Sequence, residues 1–233
     1  MISVKLGHRH RHVEERPPRA ASWSGRARQR ARSNRGFAIV EAAFVTPVFF
    51  ILIFGILEMG LAMNDSLAVA SSVRAGSRLA STAGNDVKAD LYTVLGTGRE
   101  ASAIRRSSIV RVVVYKPSGF GQGPSATCKA GTPVTGVCNV YLPADFTKAA
   151  VQVQEETDAL AQNRAVDPAK ISFGCKATSP DRYWCPNTRK VTRTGTGPEY
   201  VGVWMEMNHA LVSGVGTYTI RDQSVIRLEP RIE

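Results

Sequence analysis

The chain has 233 residues and a formal charge of +11, and that excess sits at one end. Ten basic residues (Lys5, Arg9, Arg11, Arg16, Arg19, Arg26, Arg28, Arg30, Arg32 and Arg35) precede Gly36 against two acids, Glu14 and Glu15, so a surplus of only three is left for everything after. A nucleic-acid-binding domain carries a basic face of its own, so a basic tail argues against nucleic acid as a partner, and the length suits a membrane anchor plus one domain.

Residues 1–35 are rich in Arg, Pro, Ser and Ala and have almost no periodic apolar pattern, which reads as a disordered cytoplasmic tail. His8, His10 and His12 alternate with arginines whose charge opposes a bound cation, so they are not read as a metal site. At Gly36 the composition changes abruptly. An apolar run, Ala42 to Leu57, follows between Glu41 and Glu58. As a helix it reaches about 24 Å, short of the roughly 30 Å hydrocarbon core of a bilayer. Counted from Phe37 to Met63 the reach is about 40 Å, enough to span with tilt. The reading is a transmembrane helix over 36–63, with the basic flank kept cytoplasmic and residues 64–233 translocated. Pro47, about one turn inside the run, removes a backbone hydrogen bond and bends the helix. A charge inside such a segment costs about 2.5–3.5 kcal/mol even on the lenient insertion scale, which marks Glu41 and Glu58 as functional candidates. A cleaved secretory signal competes, since Ala68-Val69-Ala70 has the small-x-small pattern of its cleavage site. The basic region is too long for it and the apolar region exceeds the usual size. A retained anchor is the better reading.

Beyond Glu58 small residues take over. Val69, Val73, Gly76, Ala80 and Ala83 recur at helical spacing and form a narrow face. Such a face lets helices approach closely, within the same domain or against a neighbouring subunit. The helix extends from Phe37 to about Ala83, where Gly84-Asn85-Asp86 breaks the pattern. A second helix is expected over Ala89 to Arg105, interrupted around Gly96-Thr97-Gly98, and a third over Asp145 to Arg164 with Glu155, Glu156 and Asp158 on a solvated face. Strands are expected at Ile109–Tyr115, Val137–Leu142, Tyr200–Asn208 and Tyr218–Leu228, with a short one at Ile171–Phe173. The result is an α+β domain with a mainly antiparallel sheet.

Cys128, Cys138, Cys175 and Cys185 all follow the membrane segment in loop-like sequence. On the translocated side an even count reads as two disulfides, and of three pairings the local ones, Cys128–Cys138 and Cys175–Cys185, fit the spacing best. Each closes a loop worth about 2–3 kcal/mol before strain. Zinc ribbons need closer cysteine pairs than these. There is no G-x-S-x-G elbow and no H-E-x-x-H. His209, the one histidine outside the tail, stands at the end of a strand pattern and reads as structural or exposed. The expectation is a protein that is not an enzyme and holds no cofactor or metal.

The chemistry that this chain invites is done to it. In Arg35-Gly36-Phe37 a glycine without Cβ lets the backbone enter a protease cleft. Cleavage after Gly36 gives Phe37 a new α-amino group and makes Glu41 the fifth residue, on the same helix face. In lipid, Glu41 of one subunit then pairs with the Phe37 amine of the next, relieving two costly charges together. The plainer alternative is a carboxylate at the headgroup boundary.

Gly36-Phe37 with Glu41 is similar to the processing signature of type IV pilin-like proteins. The longer stretch resembles the TadE-like family of tight-adherence pilus assembly proteins. It does so through Arg35-Gly36…Val40-Glu41…Pro47, through Phe54-Gly55-Ile56-Leu57-Glu58-Met59-Gly60, and through Val73-Arg74-Ala75-Gly76-Ser77-Arg78. Val225-Ile226-Arg227-Leu228-Glu229-Pro230 also resembles that family's last strand. The specific likeness covers roughly Arg35 to Ala83. It implies a minor pseudopilin at the cytoplasmic membrane, cut by a prepilin peptidase and packed against other assembly subunits through its N-terminal helix. The long arginine-rich leader and the two cysteine loops depart from the family pattern. An unprocessed, membrane-tethered binding module and a secreted hydrolase released by signal peptidase are the alternatives.

Overall fold

The computed structural model describes residues 24–230 apart from 213 and 215, with side chains from Gly36 onward. The histidines of the tail, His8, His10 and His12, therefore lie outside the described residues, as does the tail up to residue 23. The chain divides into two units, Met1–Ile53 and Phe54–Glu233.

One helix, α1 (Ser24–Ala83), is 60 residues long and runs through Pro47. It starts within the stretch expected to be disordered. The sequence Arg26-Ala-Arg-Gln-Arg-Ala-Arg32 explains this, since all its residues are strong helix formers; an apolar periodicity is not needed for a helix to form. At the other end Gly84 takes a φ of +60° and donates its N–H to the Ala80 carbonyl at 3.1 Å. Only glycine enters this left-handed cap without cost.

The unit from Phe54 onward is built on an antiparallel sheet of four strands, β1 (Ile109–Tyr115), β2 (Cys138–Tyr141), β3 (Tyr200–Ala210) and β4 (Thr217–Arg227), in the order β2-β1-β3-β4. Three helices accompany it, α2 (Ala89–Glu100), the short α3 (Ala126–Lys129) and α4 (Pro143–Ala161). Side chains alternate across a strand. One face of the sheet presents Val112, Val114, Tyr141, Val201, Val203, Met205, Met207 and Ile220 to a core completed by helix residues such as Val69, Val73, Leu91, Val94 and Phe146. The other face gathers Val113, Tyr115 and Trp204 around the Cys128–Cys138 disulfide, and a second disulfide joins Cys175 to Cys185.

Two sequence expectations give way to packing. The helix expected to break at Gly96-Thr97-Gly98 continues through them. A Cβ at Gly96 would strike Leu79 of α1, and one at Gly98 would meet Phe146 of α4 at 2.6 Å. These glycines let three helices approach closely. Ile171–Phe173 forms no strand, because the N–H groups of Ser172 and Phe173 donate instead to Oε1 of Gln152, at 2.9 and 2.8 Å. The acids of α4 also differ from a solvated face. Glu155 is 2% exposed and binds Arg164, Lys170 and the Asp167 N–H. Arg164 first, then Lys170, hold its carboxyl well below the usual range.

A buried polar cluster locks the second cysteine loop to the sheet. Asp90 of α2 accepts from Arg189 at 2.6 Å, Tyr141 at 2.5 Å and Asn139 at 2.8 Å. Asn139 also bridges both backbone groups of Trp184, at 2.8 Å each, and the Arg189 guanidinium lies 4.2 Å from the centre of the Trp184 ring.

Candidate functional site

In the first unit, Gly36 stands in open space inside α1, and a Cβ built there meets nothing within 4 Å. Phe37 is 76% exposed. Every side chain from Gly36 to Leu57, Glu41 included, is exposed. Apolar surface of this extent left bare in one helix is what a lipid environment covers. Gly36–Ala83 is the stretch long and apolar enough to cross a membrane, and the apolar part of it is unburied, unlike the core helix of a soluble protein. The Gly36-Phe37 bond lies within α1, in helical conformation.

The second unit holds a constellation the sequence does not announce. Glu58, paired in the sequence reading with Glu41 as an intramembrane charge, faces the end of the sheet. Its Oε1 lies 3.0 Å from Nε2 of His209, and its Oε2 accepts from the Val212 N–H at 2.7 Å. Two turns along α1, Oδ2 of Asp65 lies 2.6 Å from Nδ1 of the same ring. Both ring nitrogens thus face carboxylates, which only the doubly protonated imidazolium satisfies with two donors. Asp65 first, and Glu58 after it, raise the ring's pKa above its ordinary value against the opposing effect of burial. His209 is 6% exposed, so of the two readings, structural or exposed, the structural one holds. The acids bind opposite edges of the ring, so the three side chains do not converge on one point, and among the described residues no metal-holding group is found. The cluster is a clamp between helix and sheet.

The small-residue face lies further along α1. Val69, Val73 and Ala80 are fully buried, and Gly76 is buried where a Cβ would strike Thr97 of α2 and meet Val203 of β3 at 3.5 Å. These four residues pack α1 onto its own domain. Ser77 and Ser81 extend the seam to the last strand, with Ser77 Oγ 2.7 Å from Ser224 Oγ and Ser81 Oγ donating to the Arg227 carbonyl at 2.7 Å. On the far face of the sheet a cleft of about 500 Å³ is lined by Arg111, Lys129, Trp204, Glu206 and Arg221. Its acid is already engaged, since Arg221 donates to Glu206 at 2.8 Å and Arg111 lies 3.4 Å from it. The cleft presents no paired acid and base for catalysis.

A continuous exposed apolar helix, opened by Gly36 and closed onto a small-residue seam, is thus the frame in which Glu41, Glu58 and Asp65 are set. Residues 36–78 match the TadE-like protein family. The TadE-like segment begins at the glycine of the Gly36-Phe37 junction and ends in the seam, covering both acids and Asp65. His209 and Val212 lie outside it. No curated protein and no solved structure matches the chain. TadE-like proteins are a pilus assembly family and not a known enzyme family. A helix long and apolar enough to span a membrane, joined to that family likeness, suggests a membrane component related to such an assembly.

Proposed function

We propose that the chain is a pseudopilin-like component of a tight-adherence pilus or secretion assembly, held in the cytoplasmic membrane by a single span and processed after Gly36. Its N-terminus lies in the cytoplasm and its disulfide-bonded domain outside. A prepilin peptidase cuts the Gly36-Phe37 bond. The new Phe37 amine and Glu41 then pair between neighbouring helices, where each charge alone is costly in lipid. The observation that carries this reading is the TadE-like match opening at Gly36, at the head of an apolar run whose side chains are exposed from Phe37 to Leu57. The basic flank supports the orientation through its attraction to the cytoplasmic side.

One observation favours a second reading, an unprocessed membrane tether: α1 runs helical through the scissile bond, and a peptidase has to unwind that turn first. The substitution Gly36→Val separates the two. Under the processing reading the wild type accumulates as a chain shortened by 36 residues, whereas the variant, with a branched Cβ at the cleft, stays full length. Equal lengths for both, at the size of the intact chain, support the tether.

A further inference from the structure

We infer that the β3–β4 hairpin tip is a membrane-contact surface, seating Val212 and Tyr218 in the lipid headgroup layer level with Glu58, so that the outer domain rests on the bilayer. The inference deepens the membrane reading proposed above and depends on it.

Four observations converge on this surface. First, the Val212 N–H donates to Glu58 Oε2 at 2.7 Å, which fixes the tip beside the residue that ends the apolar run. Second, α1 runs from there back along the sheet. Asp65 meets His209 near the end of β3, Gly76 lies over Val203 in its middle, and Ser81 reaches Arg227 at the end of β4. The hairpin is therefore at the end of the domain where the apolar helix enters. Third, that end is apolar and bare: Val212 is 53% exposed, Tyr218 59%, and Leu67, half a turn past Asp65, 71%. Tyr218 pairs with His209 across the ladder and so shares the helix-side face of the sheet. An exposed tyrosine beside an apolar tip is the side-chain chemistry of a membrane interface. Fourth, the lengths agree. Phe37 to Leu57 spans roughly 32 Å as a helix, against a hydrocarbon core of about 30 Å. The water boundary then falls at Glu58 rather than at Met63. Its carboxylate, at the edge of the low-dielectric layer, is compensated by the His209 ring and the Val212 N–H.

The tip offers neither acid nor base at Leu211 and Val212, which argues for lipid and against a charged protein partner. The test uses the full chain in vesicles of phosphatidylcholine and phosphatidylglycerol. Single cysteines at Ile51, Val212, Tyr218 or Lys190 carry a nitroxide, attached without reduction so that the four native cysteines stay paired. Lys190 is exposed, and its backbone accepts from the Glu199 N–H at the start of β3, the opposite end of the strand from the tip. Collision with oxygen reports lipid and collision with a nickel chelate reports water. The expected result is a several-fold preference for oxygen at Ile51 and at Val212 and Tyr218, and for nickel at Lys190. If both hairpin sites read like Lys190 while Ile51 reads as lipid, the hairpin inference is overturned and the membrane span stands. If Ile51 also reads as water, both fall. Two hairpin sites keep the test decisive where one variant fails to fold.

Discussion

Glu58 closes a long apolar run, and its position alone reads as a membrane charge. Its partners turn it into a structural acid. The ring it holds carries a raised pKa, so the clamp contributes stability that is fully present below the ordinary histidine value near 6.5 and is lost as pH rises through the folded value. The wild-type domain should therefore lose thermal stability as pH is raised from 6 to 9, by the roughly 1.5–3 kcal/mol of the one charge-assisted hydrogen bond that goes when the ring gives up its second proton. His209→Gln should be less stable at pH 6 and much flatter across that range, which thermal scans by circular dichroism would read. Glu155 titrates with the opposite sign. Held below the ordinary glutamate value near 4.5 by Arg164 and Lys170, it stabilises the fold above that pH and ceases to as pH falls through its depressed value. The deficit of Glu155→Gln relative to wild type should accordingly shrink in melts taken progressively below pH 4.5.

Between elements, the seam of α1 on α2 depends on atoms that are absent. Gly76 faces Thr97 and Gly96 faces Leu79 with no room for a Cβ, and both backbones are ordinary helix. Gly96→Val should therefore cost about 1–3 kcal/mol by overpacking, measured as a shift of the denaturation midpoint, whereas Gly55→Ala, in open space, should leave it unchanged. At this scale the sequence is only partly readable. Ile109–Tyr115 is a run rich in β-branched residues, Tyr200–Asn208 alternates, and the cysteine spacing carries its own pairing, so these were legible. Gly96 and Gly98 looked like breakers because local sequence does not say which neighbour comes close. Ile171–Phe173 looked like a strand until Gln152 took its N–H groups. The clamp was illegible for the plainest reason: His209 stands 151 positions from Glu58 and 144 from Asp65, and no local pattern links them.

Across the whole molecule, the segment that matches the TadE-like family and the folded domain differ in what holds them. The apolar stretch is exposed from Phe37 to Leu57, the surface that the proposed membrane span would cover. The domain is held by a buried ion pair, whose partners Asp90 and Arg189 are both wholly enclosed, and by two disulfides. Arg189→Met leaves Asp90 with two neutral donors and should cost about 3–5 kcal/mol, detectable as faster proteolysis of the domain under native conditions. Alkylation without reduction should label none of the four cysteines, and labelling of all four would remove the external placement of the domain.

The central claim is that the Gly36-Phe37 junction is cut while the helix stays in the membrane. The most direct measurement is the N-terminal residue of the protein extracted from membranes. The account predicts Phe37; a membrane-held chain that still carries Arg35 and the residues before it would contradict it.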